Sequence, residues 1–198
     1  MINRLPNRPV ITAFTATATK NCARDIIEQL NLTSPLIKVT SFDRPNLYFS
    51  VIPARQKLEE LKKHVNNEDS IIIYCATRKN VDEVFESLHE SNYSVGRYHA
   101  GMDSEERDNA QDQFINDKLK IMVATLAFGM GIDKPDVRKV IHYNMPKSME
   151  NYYQEAGRAG RDGLESEAIL LYSPQDILIQ KFIMQNDQNP EEGLRKLE

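Results

Sequence analysis

Cysteine is scarce in this 198-residue chain, with Cys22 and Cys75 as its two thiols. Neither has a C-x-x-C neighbour, so neither a disulfide framework nor a zinc site is suggested, and a reducing compartment fits best. No apolar run approaches the ~20 residues that span a bilayer. The opening Met1-Ile2-Asn3-Arg4-Leu5-Pro6 lacks the hydrophobic stretch of a secretory signal. The expectation is a soluble intracellular protein with no membrane partner. An excess of positive charge is also missing: the net charge is −4, so any grip on nucleic acid must come from local placement of Lys and Arg. No repeat or low-complexity tract occurs. No G-x-x-x-x-G-K-S/T loop occurs either, and that loop is the usual cradle for nucleotide phosphates.

What is present is ordinary globular material, 40% apolar, long enough for one large domain or for one domain plus a fragment of another. Short, nearly continuous apolar and β-branched runs at Val10 to Thr15, Leu36 to Val39, Asn46 to Ile52, Ser70 to Cys75, Ser94 to His99, Lys120 to Thr125, Val137 to Tyr143 and Glu167 to Tyr172 predict strands. Such runs belong to strands covered on both faces. Between them, Val81, Val84, Phe85 and Leu88 follow the spacing of an amphipathic helix opened by Thr77 as N-cap. Asp103 and Glu106 predict a box-like cap for a helix reaching Phe114. Ser173-Pro174-Gln175-Asp176 predicts a helix from Pro174 to about Gln185, followed by a polar linker. The fold class is α/β, a mostly parallel sheet flanked by helices.

In such a sheet, ligands gather outside the carboxyl ends of the strands. Three loops there carry polar or glycine-rich sequence: Cys75-Ala76-Thr77-Arg78, His99-Ala100-Gly101-Met102, and Thr125 through Asp133. In the last, Gly129 and Gly131 permit positive φ and close backbone approach to a ligand, and Asp133 can accept from a ribose hydroxyl. The same G-x-G also suits an ordinary turn. A stronger signal is Gln154-Glu155-Ala156-Gly157-Arg158-Ala159-Gly160-Arg161, which sets two arginines three residues apart behind a glutamine. A fixed guanidinium stabilises the charge that develops on a transferred phosphoryl group. A solvated helix end is the plainer alternative, but two glycines then cost ~1 kcal/mol each for no return.

Q-x-x-G-R-x-x-R at 154 to 161 resembles motif VI of the superfamily 2 helicases. Val123-Ala124-Thr125 through Asp133-Lys134-Pro135-Asp136-Val137-Arg138 resembles motif V in its RecQ form. Ser41-Phe42-Asp43-Arg44-Pro45-Asn46-Leu47, Tyr98-His99-Ala100-Gly101-Met102 and Tyr152-Tyr153-Gln154-Glu155 are similar to RecQ wording, and Thr15-Ala16-Thr17-Ala18-Thr19 resembles its motif III. DEAD-box RNA helicases carry H-R-x-G-R and R-G-x-D where this chain has Gln154-Glu155 and Met130-Gly131. The resemblance runs from about residue 9 to 185. It implies the second RecA-like lobe, residues 41–186, of an ATP-dependent 3′-to-5′ DNA helicase, with residues 1–40 belonging to the first lobe and 187–198 a linker cut from a longer protein.

The family roles fall on Arg161 as arginine finger, Arg158 as a further phosphate or interface contact, and Gln154 as a coupling residue. Gly129, Gly131 and Asp133 face the nucleotide, and Thr125, Arg78, His99 and Gly101 form part of a track for single-stranded or partly duplex DNA. Arg78 and His99 equally fit a surface charge and a capping or core histidine. ATP with Mg²⁺ is expected to be bound mainly by the first lobe, since the Walker lysine and D-E-x-H are missing from this sequence. No metal ligand is assigned in this chain, and zinc is expected only in a downstream domain. The resemblance implies DNA and the first lobe as partners, and a location that is cytoplasmic, nucleoid-associated in a bacterium, or otherwise intracellular. Alone, the chain is expected to be inactive. Two other readings stand beside this one: a DNA-binding or regulatory lobe without catalysis, and a thiol enzyme built on Cys75 at a helix N-terminus, where the dipole can lower a thiolate pKa.

Overall fold

The computed structural model describes residues 9–15, 20–39, 43–129 and 132–188, with side chains through residue 181. The chain falls into two compact units, Met1–Asp43 and Arg44–Glu198. In the first, helix α1 spans Lys20–Gln29. Val10 to Thr15 and Leu36 to Val39, both expected as strands, form none. A strand is defined by its hydrogen-bonded neighbour, and these runs remain open to solvent, with Val10 and Leu36 each 95% exposed.

The second unit is one six-stranded sheet: β1 (Leu47–Pro53), β2 (Ser70–Tyr74), β3 (Val95–Tyr98), β4 (Ile121–Ala124), β5 (Val137–His142) and β6 (Ser166–Tyr172). The order is β1-β6-β5-β2-β4-β3, and every pairing is parallel. Each falls on a segment expected from the sequence, because the central strands are apolar on both faces. Ile71, Ile72 and Ile73 alternate sides and are all fully buried, each contributing roughly 1.5–3 kcal/mol.

Helices α2 (Lys57–Lys62) and α3 (Arg78–Glu90) cover one face through Leu61, Val81, Val84 and Leu88. On the other face lie α4 (Ser104–Ile115) and α5 (Met149–Ala156), through Phe114 and Ala156, together with Phe128 and Ile132 from the loop after β4. Thr77 caps α3 by accepting from the Asn80 N–H at 3.2 Å. Asp103 holds the N-cap position of α4, but its side chain makes no cap hydrogen bond. Both Asp103 and Glu106 are exposed, where water competes for the same donors. Helix α6 spans Gln175–Gln188, so residues 186–188 extend the helix rather than begin a linker. Its start is a reciprocal pair: Ser173 Oγ accepts from Gln175 N–H at 3.4 Å, and Asp176 accepts from Ser173 N–H at 3.0 Å.

Three carboxylates are held below the ordinary range: Asp69 by the Asn66 amide and then Lys139, Asp117 by Lys120 and then Lys134, and Asp162 by Arg138. A lowered folded-state pKa contributes stability that is present above the unfolded value near 4 and is lost as pH falls through the folded value. The urea midpoint is therefore expected to hold from pH 7 to about 4 and to drop below it. A midpoint unchanged down to pH 3 would contradict these bonds.

Candidate functional site

Parallel register aligns the strand exits. Tyr74 of β2 pairs with Ala124 of β4 and with His142 of β5, and Tyr98 of β3 pairs with Ala124. Three of the loops named from the sequence thus leave the sheet side by side. At this edge His99 is buried and its ring is fully engaged: Nδ1 accepts from the Gly101 N–H at 3.1 Å, and Nε2 meets Asp82 at 3.2 Å. Because Nδ1 accepts, the ring proton sits on Nε2 and is donated to the carboxylate. Arg97 binds the same Asp82 oxygen at 2.6 Å. Gly101 is packed so that a Cβ would lie 3.2 Å from Arg78 Nη1. The structure therefore brings Arg78, His99 and Gly101 together, with Arg78 exposed and His99 inside, shaping the turn.

A pocket of about 280 Å³ opens at the same exits, lined by Ala76, Thr125, Asn144, Asn151, Glu155 and Gln180 among others. Asn144, which sequence reasoning passed over, sets its wall. It accepts from the Ala76 N–H at 3.1 Å and donates to Asp176 at 3.1 Å, and Asp176 also takes the half-buried Lys57 ammonium at 2.6 Å. Burial lowers the Lys57 pKa against the pull of Asp176. Cys75 lies on this edge too, but it is buried, and desolvation pushes its thiol up rather than down. A helix N-terminus does not yield a thiolate when the sulfur is out of water. The thiol-enzyme reading is thereby corrected. A disulfide reagent is expected to label exposed Cys22 in the native protein and Cys75 only on unfolding; Cys75 reacting as fast as free cysteine would restore that reading.

The arginines lie elsewhere. Helix α5 opens at Ser148, whose hydroxyl accepts from the Asn151 N–H at 3.2 Å, and runs back along β5 to Gly157. It is pinned by His142, fully buried, whose Nε2 donates to Glu155 at 2.8 Å and whose ring meets Tyr152 at 4.8 Å. The turn after α5 docks at the entry of β5, with Gly160 N–H on the Val137 carbonyl at 2.8 Å and Asp162 N–H on that of Pro135 at 3.2 Å. The loop from Thr125 to Asp136 descends from the exit of β4 to the same entry, and there it meets both arginines. Arg158 Nη1 donates to the Gly129 carbonyl at 2.5 Å, and its buried Nε has no hydrogen-bond partner among the described residues. Arg161 Nη1 donates to the Ile132 carbonyl at 3.1 Å and to Asp133 Oδ1 at 3.2 Å, in a pair whose side chains are 38% and 88% exposed.

Gly129 has φ +141°, and a Cβ there would overlap the Arg158 guanidinium, so glycine is required. Gln154, on α5, is exposed, four residues before Arg158 in the turn that follows. Gly131 lies outside the described residues. The loop's far end is anchored by Lys134, which the sequence reading assigned no part. It is buried between Asp117 and Asp136, at 3.2 and 3.1 Å.

Residues 55–163 match the model of the helicase conserved C-terminal domain. The chain belongs to that family. It is the C-terminal lobe of a superfamily 2 helicase, similar along its whole length to RecQ proteins. The ATP-dependent DNA helicase RecQ of Bacillus subtilis is 45% identical over 202 residues, covering all of this chain and 34% of that protein. The ATP-dependent helicase wrn-1 of Caenorhabditis elegans is 44% identical over 98% of this chain and 19% of its own length. A putative ATP-dependent RNA helicase, R290 of Acanthamoeba polyphaga mimivirus, is 47% identical over 94% of this chain and 34% of its own. The lobe thus spans about a third or less of these curated relatives.

Among solved structures, Dbp5 of Saccharomyces cerevisiae bound to RNA and ADP BeF3 superposes with a TM-score of 0.68 at 20% identity, covering 86% of this chain and 47% of that one. That likeness confirms a RecA-like fold. No helix among the described residues is long and apolar enough to cross a membrane.

Proposed function

We propose that the lobe completes the nucleotide site of an ATP-dependent 3′-to-5′ DNA helicase of RecQ type. The observation that carries this reading is the meeting of Arg158 with Gly129 and of Arg161 with Ile132 and Asp133, within a lobe that is 45% identical to a RecQ protein. Arg161 is the finger. Its ionic partner among the described residues, Asp133, is almost wholly exposed, so the pair exchanges readily for a phosphate, which a planar guanidinium can bind in bidentate fashion. Arg158, tucked against Gly129, keeps the loop and the turn in register and offers a second positive charge. Gln154 couples the nucleotide side to the remainder of the lobe, and Asp133, once released, is placed to accept from a ribose hydroxyl.

ATP supplies the phosphoryl group whose charge the guanidinium stabilises. The same reading has magnesium held with the ATP mainly by the first lobe, and zinc by a downstream domain. The exits of β2, β3 and β4 carry the DNA track. There Arg78 and Thr125 contact phosphates, while His99 and Gly101 shape the turn beside them. The loop from Thr125 to Asp133 touches both regions and links them.

The test is ATP turnover of this chain alone, with single-stranded DNA, and with a separately produced lobe that carries the Walker loop. DNA-stimulated turnover only in the two-lobe mixture is expected. Association of the lobes without turnover would favour the non-catalytic DNA-binding reading.

A further inference from the structure

The turn that carries Arg158 and Arg161 is held from the far end of the chain. Arg44, at the start of the second unit, donates from Nη1 to the Gly157 carbonyl at 3.0 Å and from Nη2 to those of Ala159 and Gly160 at 2.7 and 2.6 Å. These carbonyls flank Arg158 in sequence, and the last immediately precedes Arg161. Asn46 adds a second clamp, donating from Nδ2 to the carbonyls of Gly160 at 2.8 Å and Leu164 at 2.9 Å. Both clamping residues are themselves fixed: the Leu47 N–H binds the Arg44 carbonyl at 2.9 Å, and the Ser166 N–H binds that of Asn46 at 2.9 Å.

We infer that Arg44 is a positioning residue for the arginine finger, acting through the peptide planes of residues 157–160; this rests on the reading of Arg161 given above. The bulk of the turn has other anchors. Ala156 and Ala159 are fully buried, and Gly160 and Asp162 bond to the strand entry. Loss of Arg44 therefore leaves the lobe folded. It frees three converging carbonyls at a helix C-terminus, where a cation is favoured and a planar fork can meet several acceptors at once. Once those planes can tilt, the Cα–Cβ vectors of Arg158 and Arg161 tilt with them, and a displacement of about 1 Å at a phosphate-reading group costs on the order of 10²-fold in rate.

The experiment is DNA-stimulated ATP turnover in the full-length protein that carries this lobe, for Arg44→Ala, Arg44→Lys, Arg161→Ala and the double variant Arg44→Ala with Arg161→Ala. Arg44→Ala is expected to lower kcat roughly 10- to 100-fold with KM for ATP changed less than about threefold. Arg44→Lys should recover part of that, since an ammonium satisfies fewer of the three carbonyls. The double variant should be no slower than Arg161→Ala within about twofold, because residues acting as a unit are not additive.

A further tenfold loss in the double variant would overturn the inference by showing that Arg44 acts independently of the finger. Wild-type turnover in folded Arg44→Ala or Arg44→Lys would do the same, and if Arg44→Ala does not fold, Arg44→Lys decides. If Arg161→Ala itself turns over normally, the finger reading fails. A slow Arg161→Ala beside a normal Arg44→Ala removes only the role of Arg44.

Discussion

Arg161→Ala is expected to reduce ATP turnover of the two-lobe enzyme by roughly 10³- to 10⁵-fold, about 4 to 7 kcal/mol of transition-state stabilisation, while shifting the stability of this lobe by no more than about 0.5 kcal/mol. The two halves of that expectation have separate grounds. The side chain is 38% exposed, and among the described residues its polar partners are the Ile132 carbonyl and the Asp133 carboxylate, which is 88% exposed. Such a pair adds little to folding because water and salt screen it and two long side chains must be ordered to form it. An arginine contributing so little to stability, on a turn that is otherwise clamped, is available for a ligand. Its value would appear only when charge spreads over phosphoryl oxygens in a dry interface, where a fixed cation counts for far more than in water. Steady-state kinetics with DNA and a denaturant melt of the same variant separate the two. A loss of turnover matched by a loss of folding would mean a structural residue.

Gly160→Ala is expected to destabilise the lobe by about 3 kcal/mol, the sum of backbone strain and overpacking. Gly160 sits at φ +60°, and its added Cβ would lie 2.6 Å from Asn46 Nδ2, 2.6 Å from Ser166 Oγ and 2.8 Å from the Leu164 carbonyl oxygen. The last of these is backbone and cannot swing away. The molecule carries its own control: Gly163, three residues on, has φ +84° but nothing within 4 Å of the Cβ position. Gly163→Ala should therefore cost only the strain, about 1 kcal/mol. Urea unfolding of both variants reads the difference, and equal costs would mean that the packing around Gly160 is looser than described. Since the clash falls on Asn46, the folded fraction of Gly160→Ala should also turn over ATP more slowly.

Residue type and spacing made much of this legible. Six strands could be read because isoleucine and valine runs buried on both faces leave a nearly unbroken apolar signal, as in Ser70–Tyr74. The two N-terminal runs carried the same signal and form no strand, since apolar composition reports a wish to be buried and not the presence of a neighbour to pair with. Thr77 and Asp103 were both readable as N-caps and both hold that position, but only Thr77 makes the cap bond, because a hydroxyl at a half-buried helix start keeps its bond where an exposed carboxylate trades it for water. In the site, arginines and glycines stood out by chemistry alone. Their supports did not: Arg44 reaches Gly157 across 113 positions, Asn144 and Lys57 converge on Asp176 from distant parts of the chain, and His142 ends β5, where only its partner Glu155 gives it meaning. His99 could be read both as a DNA contact and as a buried cap. Its hydrogen bonds to Gly101 and Asp82 place it in the turn, while Arg78 beside it keeps its charge outside.

The pairing of β1 with β6 carries a consequence for how the lobe comes into being. Leu47 and its neighbours meet Ser166 and its neighbours as adjacent parallel strands, so the first strand of this sheet made by the ribosome must wait for the last. Contacts so distant in sequence form slowly, because chain entropy is lost before they stabilise anything. Arg44 and Asn46 adjoin that first strand, and Gly157 to Leu164 adjoin the final one. The turn bearing both arginines is therefore clamped only when the sheet closes, and a nascent or partly unfolded lobe holds no organised pair of guanidinium groups.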